Sequence, residues 1–167
     1  MEDVKTRLAL GGGKERVEAQ LDAFFAFDGR NEMEDRFEGF NNETDMETPY
    51  FYHYVGEYDK LCKILDECVT NCFKAGREGI PGNADSGGLT ACYIWNFLGI
   101  YPQSGYESVF VGKPRAKKVK ITMNNGKTLT ILNECNGNPK TITFNKKAVT
   151  SEIALKDLLA GGELRFE

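Results

Sequence analysis

The chain has 167 residues and a formal net charge of −4 at pH 7, and 41% of its residues are hydrophobic. This length suits one domain, or one domain with a small second one, and the composition is ordinary for a globular protein. Charges of both signs are interspersed, which argues against a nucleic-acid-binding protein, and no apolar run approaches the length of a membrane span.

Hydrophobic periodicity predicts helices over most of residues 1 to 102. A glycine turn at residues 11–13 precedes the first of them, and Pro49 marks a further helix start. The clearest core stripe, with apolar residues at steps of three and four, lies in the second long helix. The predicted long helices span residues 14–27, 59–73 and 87–97.

Short strands are predicted to dominate residues 103 to 167. Asn125-Gly126 is a typical hairpin turn between two alternating segments. A short helix is expected from Glu152 to Leu159, followed by a last strand. The predicted strands cover residues 109–111, 117–123, 129–131, 141–144 and 163–166.

The fold class expected from these patterns is α+β. Residues 1–102 would form helical hairpins of the kind that build an (α/α) toroid, and residues 103–167 a small antiparallel β-sheet or sandwich. Because so few helices would leave apolar faces uncovered, we expect self-association or pairing with another polypeptide.

The cysteines indicate free thiols rather than a disulfide framework or a zinc site. Their number is odd, no Cys-x-x-Cys pair occurs, and His53 is the single histidine. Free thiols persist in reducing compartments, and no signal-peptide pattern is visible, so we expect a cytoplasmic location. The five cysteines are Cys62, Cys68, Cys72, Cys92 and Cys135.

A Gly/Pro-rich loop at residues 79–87 presents Asn83 and Asp85 immediately before the third long helix. A helix start favours a negative charge, so a carboxylate here suits a catalytic or metal-binding role. The alternative is that Asp85 only caps the helix and the glycines only make a turn. Ser86 is the expected N-cap residue.

Earlier in the chain, a polar loop at residues 40–48, the first of the two in chain order, carries amides and carboxylates at high density. Such hard oxygen ligands suit Ca²⁺ better than a transition metal. A solvated acidic loop with an N-cap is the alternative. The side chains concerned are those of Asn41, Asn42, Glu43, Asp45 and Glu47.

Both loops resemble segments of the calcium-dependent exo-α-mannosidases, glycoside hydrolase family 92. Residues 79–102, GIPGNADSGGLTACYIWNFLGIYP, resemble that family's Gly-Asn/Asp-x-Asp-x-Gly loop and the helix after it. Asn42-Glu43 matches the family's Asn-Glu pair, and residues 8–14 are similar to its Gly-Gly-Lys turn. The resemblance covers nearly the whole chain.

The resemblance implies an inverting, α-1,2-mannosidase-like hydrolase that removes terminal mannose from glycans with the help of Ca²⁺. Asp85 would be the general base, and Asn83 stands where many members carry a second, assisting acid. The calcium would be held by Asn42 and Glu43, with Asn41 contributing from the preceding position.

Two departures from the family pattern bear on activity. Met46 and Glu47 replace two histidines near the sugar subsites, so the expected substrate-binding residues are Asp45, Met46 and Glu47. The family's general acid is a glutamate upstream of the Gly-Gly-Lys turn, and no residue here matches it. We therefore expect a C-terminal portion of the enzyme that is inactive alone and pairs with a missing N-terminal half.

Two other readings remain open at this point. A non-catalytic module could bind sugar or calcium through Asn42, Glu43 and Asp85, or pair with another chain. A plain helical domain with a β appendage and no site would have to explain both polar loops as coincidence.

Overall fold

The computed structural model describes residues 4–25 and 40–167, and the chain divides into two compact units, residues 1–90 and 91–167. The division falls within the last helix of the helical half, whereas the predicted pattern of helices and strands places the boundary at residue 102. The two units are described in turn. In the described ranges, no helix is long and apolar enough to cross a membrane.

The first unit is helical, as predicted. Its helices begin and end close to the expected positions, although α1 was not predicted and residues 26 and 27 of the first predicted helix lie outside the described residues. The helices are α1 Val4–Leu10, α2 Lys14–Phe24, α3 Glu43–Glu47, α4 Tyr52–Val55, α5 Tyr58–Asn71 and α6 Gly88–Leu98, whose last eight residues belong to the second unit.

Helix α5 supplies the core of the first unit. The predicted stripe is confirmed for Leu61, Leu65 and Cys68, which are at most 5% exposed. Pro49 begins a short 3₁₀ turn, Thr48–Phe51, that leads directly into α4. By contrast, neither α1 nor α2 contains a fully buried residue.

An ion-pair network ties α2 to α4 and α5. Lys60 Nζ lies 2.7 Å from Asp22 Oδ2 and 2.8 Å from Glu18 Oε1. The buried Tyr52 donates its hydroxyl to Asp22 Oδ1 at 2.9 Å. Burial lowers the pKa of Lys60, but its hydrogen bonds to Asp22 and Glu18 outweigh that effect and raise it overall. The network therefore holds the ammonium in its charged form between the helices.

The second unit contains two sheets. A three-stranded antiparallel sheet has the order β1-β2-β7, and a five-stranded sheet has the order β3-β4-β8-β5-β6. The Asn-Gly hairpin joins β3 and β4 as predicted. The strands are β1 Ile100–Pro102, β2 Ser108–Val111, β3 Lys118–Thr122, β4 Thr128–Asn133, β5 Ile142–Phe144, β6 Lys147–Ala148, β7 Glu152–Ala154 and β8 Gly162–Phe166.

Two expectations for the second unit are wrong. Glu152–Ala154 form β7, which pairs with β2, so the helix α7 covers only Leu155–Leu159. The larger sheet is mixed rather than antiparallel, because β8 runs parallel to β4. A parallel pair needs a long crossover connection, and the chain between β4 and β8, which forms β5, β6, β7 and α7, provides one.

Removing the Tyr52 hydroxyl tests the network. We expect Tyr52→Phe to lower the free energy of unfolding by about 1 kcal/mol at pH 7, because the hydrogen bond to Asp22 is lost. Burial raises the pKa of Tyr52 far above its ordinary value of 10.0, and the hydrogen bond to Asp22 adds to the rise. This contribution is fully present below pH 10 and declines above it, since the unfolded tyrosine ionises first.

The difference between wild type and Tyr52→Phe should therefore shrink as the pH rises from 9 to 11, measured by urea unfolding. Tyr106→Phe, at an exposed position, controls for loss of a tyrosine hydroxyl. A stability difference between wild type and Tyr52→Phe that stays constant over this pH range would contradict the role given to the Tyr52 hydroxyl.

Candidate functional site

The first polar loop ends in the N-cap of α3. Asn42 has an extended backbone conformation, and its side-chain Oδ1 accepts the backbone N–H of Glu43 at 2.8 Å. Its carbonyl accepts the N–H of Asp45 at 3.0 Å. The side chains of Asn42 and Glu43 are both exposed. The capping role and the proposed metal role are compatible, because an amide oxygen has a second lone pair.

The second polar loop ends in a 3₁₀ turn, Asp85–Gly87, which leads into α6 at Gly88. Asp85 and Asn83 are exposed, so both can reach a ligand. Ser86 has φ 52° and ψ 22°, the left-handed conformation, whereas an N-cap residue is typically extended. The prediction that Ser86 caps α6 is therefore wrong.

The two polar loops meet through their backbones. The N–H of Asn83 donates to the carbonyl of Asn41 at 3.3 Å. Gly82 packs against the same residue so closely that a Cβ atom would overlap the Asn41 carbonyl and lie 2.6 Å from its Cα. Gly82 also has φ +54°, which favours glycine. The structure thus places Asn41, Asn42 and Glu43 beside the loop that carries Asn83 and Asp85.

Met46 lies close to the start of the helix that follows the other loop. Met46, in α3, is 6% exposed, and its Cε would be 3.5 Å from a Cβ at Gly88, the first residue of α6. Because its side chain is buried, Met46 packs inside the protein and is not presented to a ligand. Sequence reasoning had assigned Met46 only to the substrate.

The three candidate substrate residues point in different directions. Asp45 lines a groove of about 400 Å³ between α2 and α3, which Thr44 and Thr48 also border. Met46 is buried, and Glu47 is half-buried. Consecutive helical residues diverge by about 100°, so one ligand cannot be expected to contact all three. Their roles in substrate binding remain predictions, with the placement favouring Asp45 and Glu47 over Met46.

The oxygen ligands available suit Ca²⁺ in type, although they are too few to complete its coordination. Ca²⁺ takes about 6–8 oxygen ligands, including amides, carboxylates and waters. Asn41, Asn42 and Glu43 offer two amides and one carboxylate within one short segment. Within the residues that the structure describes, no group of three or more His, Cys, Asp or Glu side chains could hold a metal ion. A calcium here would need water, substrate hydroxyls or further protein groups.

Sequence reasoning missed the contacts that bring these loops together. In the alternative interpretation the glycines of residues 79–87 only make a turn, although the Pro-Gly-Asn context of Gly82 is compatible with the close approach as well. Phe40, which precedes Asn41, is completely buried and its ring centroid lies 6.4 Å from that of Phe73. An aromatic residue at the edge of a polar loop was the available signal in the sequence for an anchor.

Substituting Gly82 tests the loop contact. We expect Gly82→Ala to lower the free energy of unfolding by about 2–3 kcal/mol, since left-handed strain adds to overlap with the Asn41 backbone. Gly87→Ala is the matched control, because Gly87 has φ +77° but no atom near its Cβ position. Gly87→Ala should lower the free energy of unfolding by about 1 kcal/mol, from backbone strain alone. If both variants lose the same free energy of unfolding, measured with urea, the stability of the loops does not depend on the close approach of Gly82 to Asn41.

Comparison with known proteins supports the resemblance. The model of the glycosyl hydrolase family 92 catalytic domain matches residues 1–167. A curated relative, an uncharacterized secreted glycosidase of Arthroderma benhamiae, is 26% identical over 132 residues, which are 78% of this chain and 16% of the relative.

Solved structures show the same fold. A family GH92 α-mannosidase of Bacteroides thetaiotaomicron, solved with mannoimidazole, superposes with a TM-score of 0.86 at 26% identity, over 99% of this chain and 23% of that one. An inverting family GH92 mannosidase of the same organism superposes with a TM-score of 0.83 at 23% identity. The match covers 99% of this chain and 25% of that one. The chain spans about a quarter of the length of these structures, and less of the curated relative.

Proposed function

Because this chain belongs to glycosyl hydrolase family 92, we propose that it is the part of a calcium-dependent, inverting exo-α-mannosidase that carries the general base and calcium ligands. The substrate would be a glycan with terminal α-1,2-linked mannose. The observation that carries the proposal is the backbone contact that places the Asn42-Glu43 segment beside the Asp85 loop.

Asp85 is the proposed general base. It is exposed in a short turn just ahead of α6, where a carboxylate can accept a proton from a water molecule. Asn83 lies two residues earlier, in the loop segment bonded to Asn41. Its side-chain amide can orient that water by hydrogen bonding but cannot take up its proton.

Asn42, Glu43 and Asn41 are the proposed calcium ligands. Bound there, Ca²⁺ would orient the hydroxyls of a terminal mannose and favour ring distortion toward the transition state. Glu43 supplies negative charge and Asn42 a neutral oxygen whose position its capping hydrogen bond fixes. In this proposal, those two residues would set where the sugar ring lies relative to Asp85.

An inverting glycosidase also needs a carboxylic acid on the opposite face of the sugar, roughly 6.5–9.5 Å from the base. No residue of this sequence matches the family's acid. We propose that the acid belongs to a part of the catalytic domain that this chain does not contain, and that the helical unit pairs with that part.

Calcium titration tests the metal ligands. We expect the 167-residue chain to bind Ca²⁺ saturably in isothermal calorimetry, and Glu43→Gln to weaken binding by about tenfold or more, because a charged oxygen ligand is lost. Glu67→Gln removes the same charge from an exposed position on α5 and should leave the affinity nearly unchanged. Equal weakening in both variants would indicate a nonspecific charge effect and contradict the site.

Hydrolysis of an aryl α-mannoside tests the proposal that this chain carries the general base but not the general acid. With Ca²⁺ present, we expect the chain alone to release no more product than its Asp85→Asn variant, since protonation of the leaving group is missing. Turnover that depends on Asp85 would show that the chain contains a functional acid after all.

A non-catalytic module that binds sugar or calcium is the second candidate. The lack of a matching acid and the burial of Met46, where many family members have a histidine, favour it. Calcium binding without turnover, even after mixing with an upstream catalytic segment from a family member, would support this alternative over the enzyme.

A further inference from the structure

The chain contains two Asn-Gly pairs, at residues 125–126 and 136–137. In such a pair the backbone nitrogen of the glycine can attack the side-chain carbonyl of the asparagine, because glycine has no Cβ atom to crowd the approach. The first pair lies in the turn between β3 and β4, and the second lies in the loop between β4 and β5. The proposed function uses neither pair, so chemistry at them is independent of it.

The structure holds the first pair in an arrangement that opposes this attack. Asn125 Oδ1 accepts the Lys127 N–H at 2.9 Å, and Asn125 Nδ2 donates to the Leu159 carbonyl at 2.8 Å. The attacking nitrogen would be that of Gly126, whose N–H donates to the Met123 carbonyl at 2.8 Å. Both reacting groups are therefore engaged in hydrogen bonds that must break before they can meet.

The second pair lacks these restraints. Asn136 and Gly137 are both exposed. Within residues 4–25 and 40–167, neither the Asn136 side chain nor the Gly137 N–H takes part in a hydrogen bond. A Cβ atom placed at Gly137 would meet nothing within 4 Å. The asparagine side chain and the glycine nitrogen can therefore approach each other without first losing a contact to the described part of the chain.

The loop around the second pair is held at its two ends, so only its tip is unrestrained. The Glu134 N–H donates to the Phe166 carbonyl at 2.9 Å, and the Lys140 N–H donates to the Glu167 carbonyl at 2.6 Å. Pro139, just before Lys140, is buried. Rearrangement of the tip is thus a local event that does not require the neighbouring strands to open.

We propose that Asn136 is a site of spontaneous deamidation, a covalent modification in which water is the co-reactant. The Gly137 nitrogen loses its proton to solvent base, attacks Cγ of Asn136 and forms a new C–N bond. The bond from Cγ to the side-chain nitrogen then breaks. That nitrogen takes up a proton and leaves as ammonia, and the product is a cyclic succinimide.

Water then opens the succinimide at either of its carbonyls. One opening gives an aspartate at position 136, and the other gives an isoaspartate, in which the main chain runs through the side-chain carbon atoms. The net reaction consumes water and releases ammonia, and no atom is oxidised or reduced. Either product adds a negative charge to the loop in which Asn138 accepts the Lys113 ammonium at 2.9 Å.

The experiment incubates the full chain at mildly alkaline pH and follows the peptides of both asparagines by mass spectrometry. Because Asn125 must first break two side-chain hydrogen bonds, we expect Asn136 to deamidate about tenfold or more faster than Asn125 in the folded chain. In urea those hydrogen bonds are lost, so the rate at Asn125 should rise toward that of Asn136.

Two outcomes of this comparison would overturn the proposal. The first is an equal rate at Asn125 and Asn136 in the folded chain. The second is a difference between the two rates that persists unchanged in urea, because the neighbouring sequence rather than the structure would then set the rates. The unfolded chain is therefore the control for the folded one, and no substitution is needed.

Gly137→Ala tests the attacking nitrogen. A Cβ fits at this position without a clash, so the variant should keep the urea midpoint of the wild type. The methyl group crowds the nitrogen as it approaches Asn136, so we expect deamidation there to slow severalfold. An unchanged rate, with aspartate and no isoaspartate as the product, would mean that water attacks the side chain directly and would refute the role of the Gly137 nitrogen.

Discussion

The close approach of Gly82 to the backbone of Asn41 is the contact on which the candidate site depends. It joins two segments that are distant in sequence, and neither segment has enough secondary structure to hold its position alone. The hydrogen bond from Asn83 to Asn41 can form because no side chain at Gly82 separates the two segments. The Asn42-Glu43 pair can therefore lie beside the loop of Asp85 because Gly82 has no Cβ atom.

Helix α5 supports both polar loops from the same end. The first loop is anchored by Phe40, whose ring packs near Phe73 just beyond the helix. The second loop leaves the helix through a turn closed by the bond from the Lys74 N–H to the Gly79 carbonyl, at 2.8 Å. Lys60 in turn ties the helix to α2. Contacts at the end of a well-packed helix, rather than contacts within the loops, thus hold the two polar loops in position.

The surroundings of the two polar loops rely on backbone contacts and buried side chains. Met46 is buried, and its Cε lies 3.5 Å from the position that a Cβ at Gly88 would take. The backbone N–H of Asn83 makes the contact with Asn41, and that contact is independent of side-chain charge. The packing around the loops therefore does not require ionisable side chains at positions 46 and 83.

The sequence by itself determined the helical and β-rich halves, the α5 stripe, the Asn-Gly hairpin and the two polar loops, because periodicity and turn chemistry are local. Only the tertiary structure decided that β8 would pair in parallel with β4, that Glu152–Ala154 would be a strand, and that Met46 would face the interior. Each of these depends on a partner far along the chain. The meeting of the two polar loops is the same case: each motif is visible in the sequence, but their proximity depends on a backbone contact that local pattern does not encode.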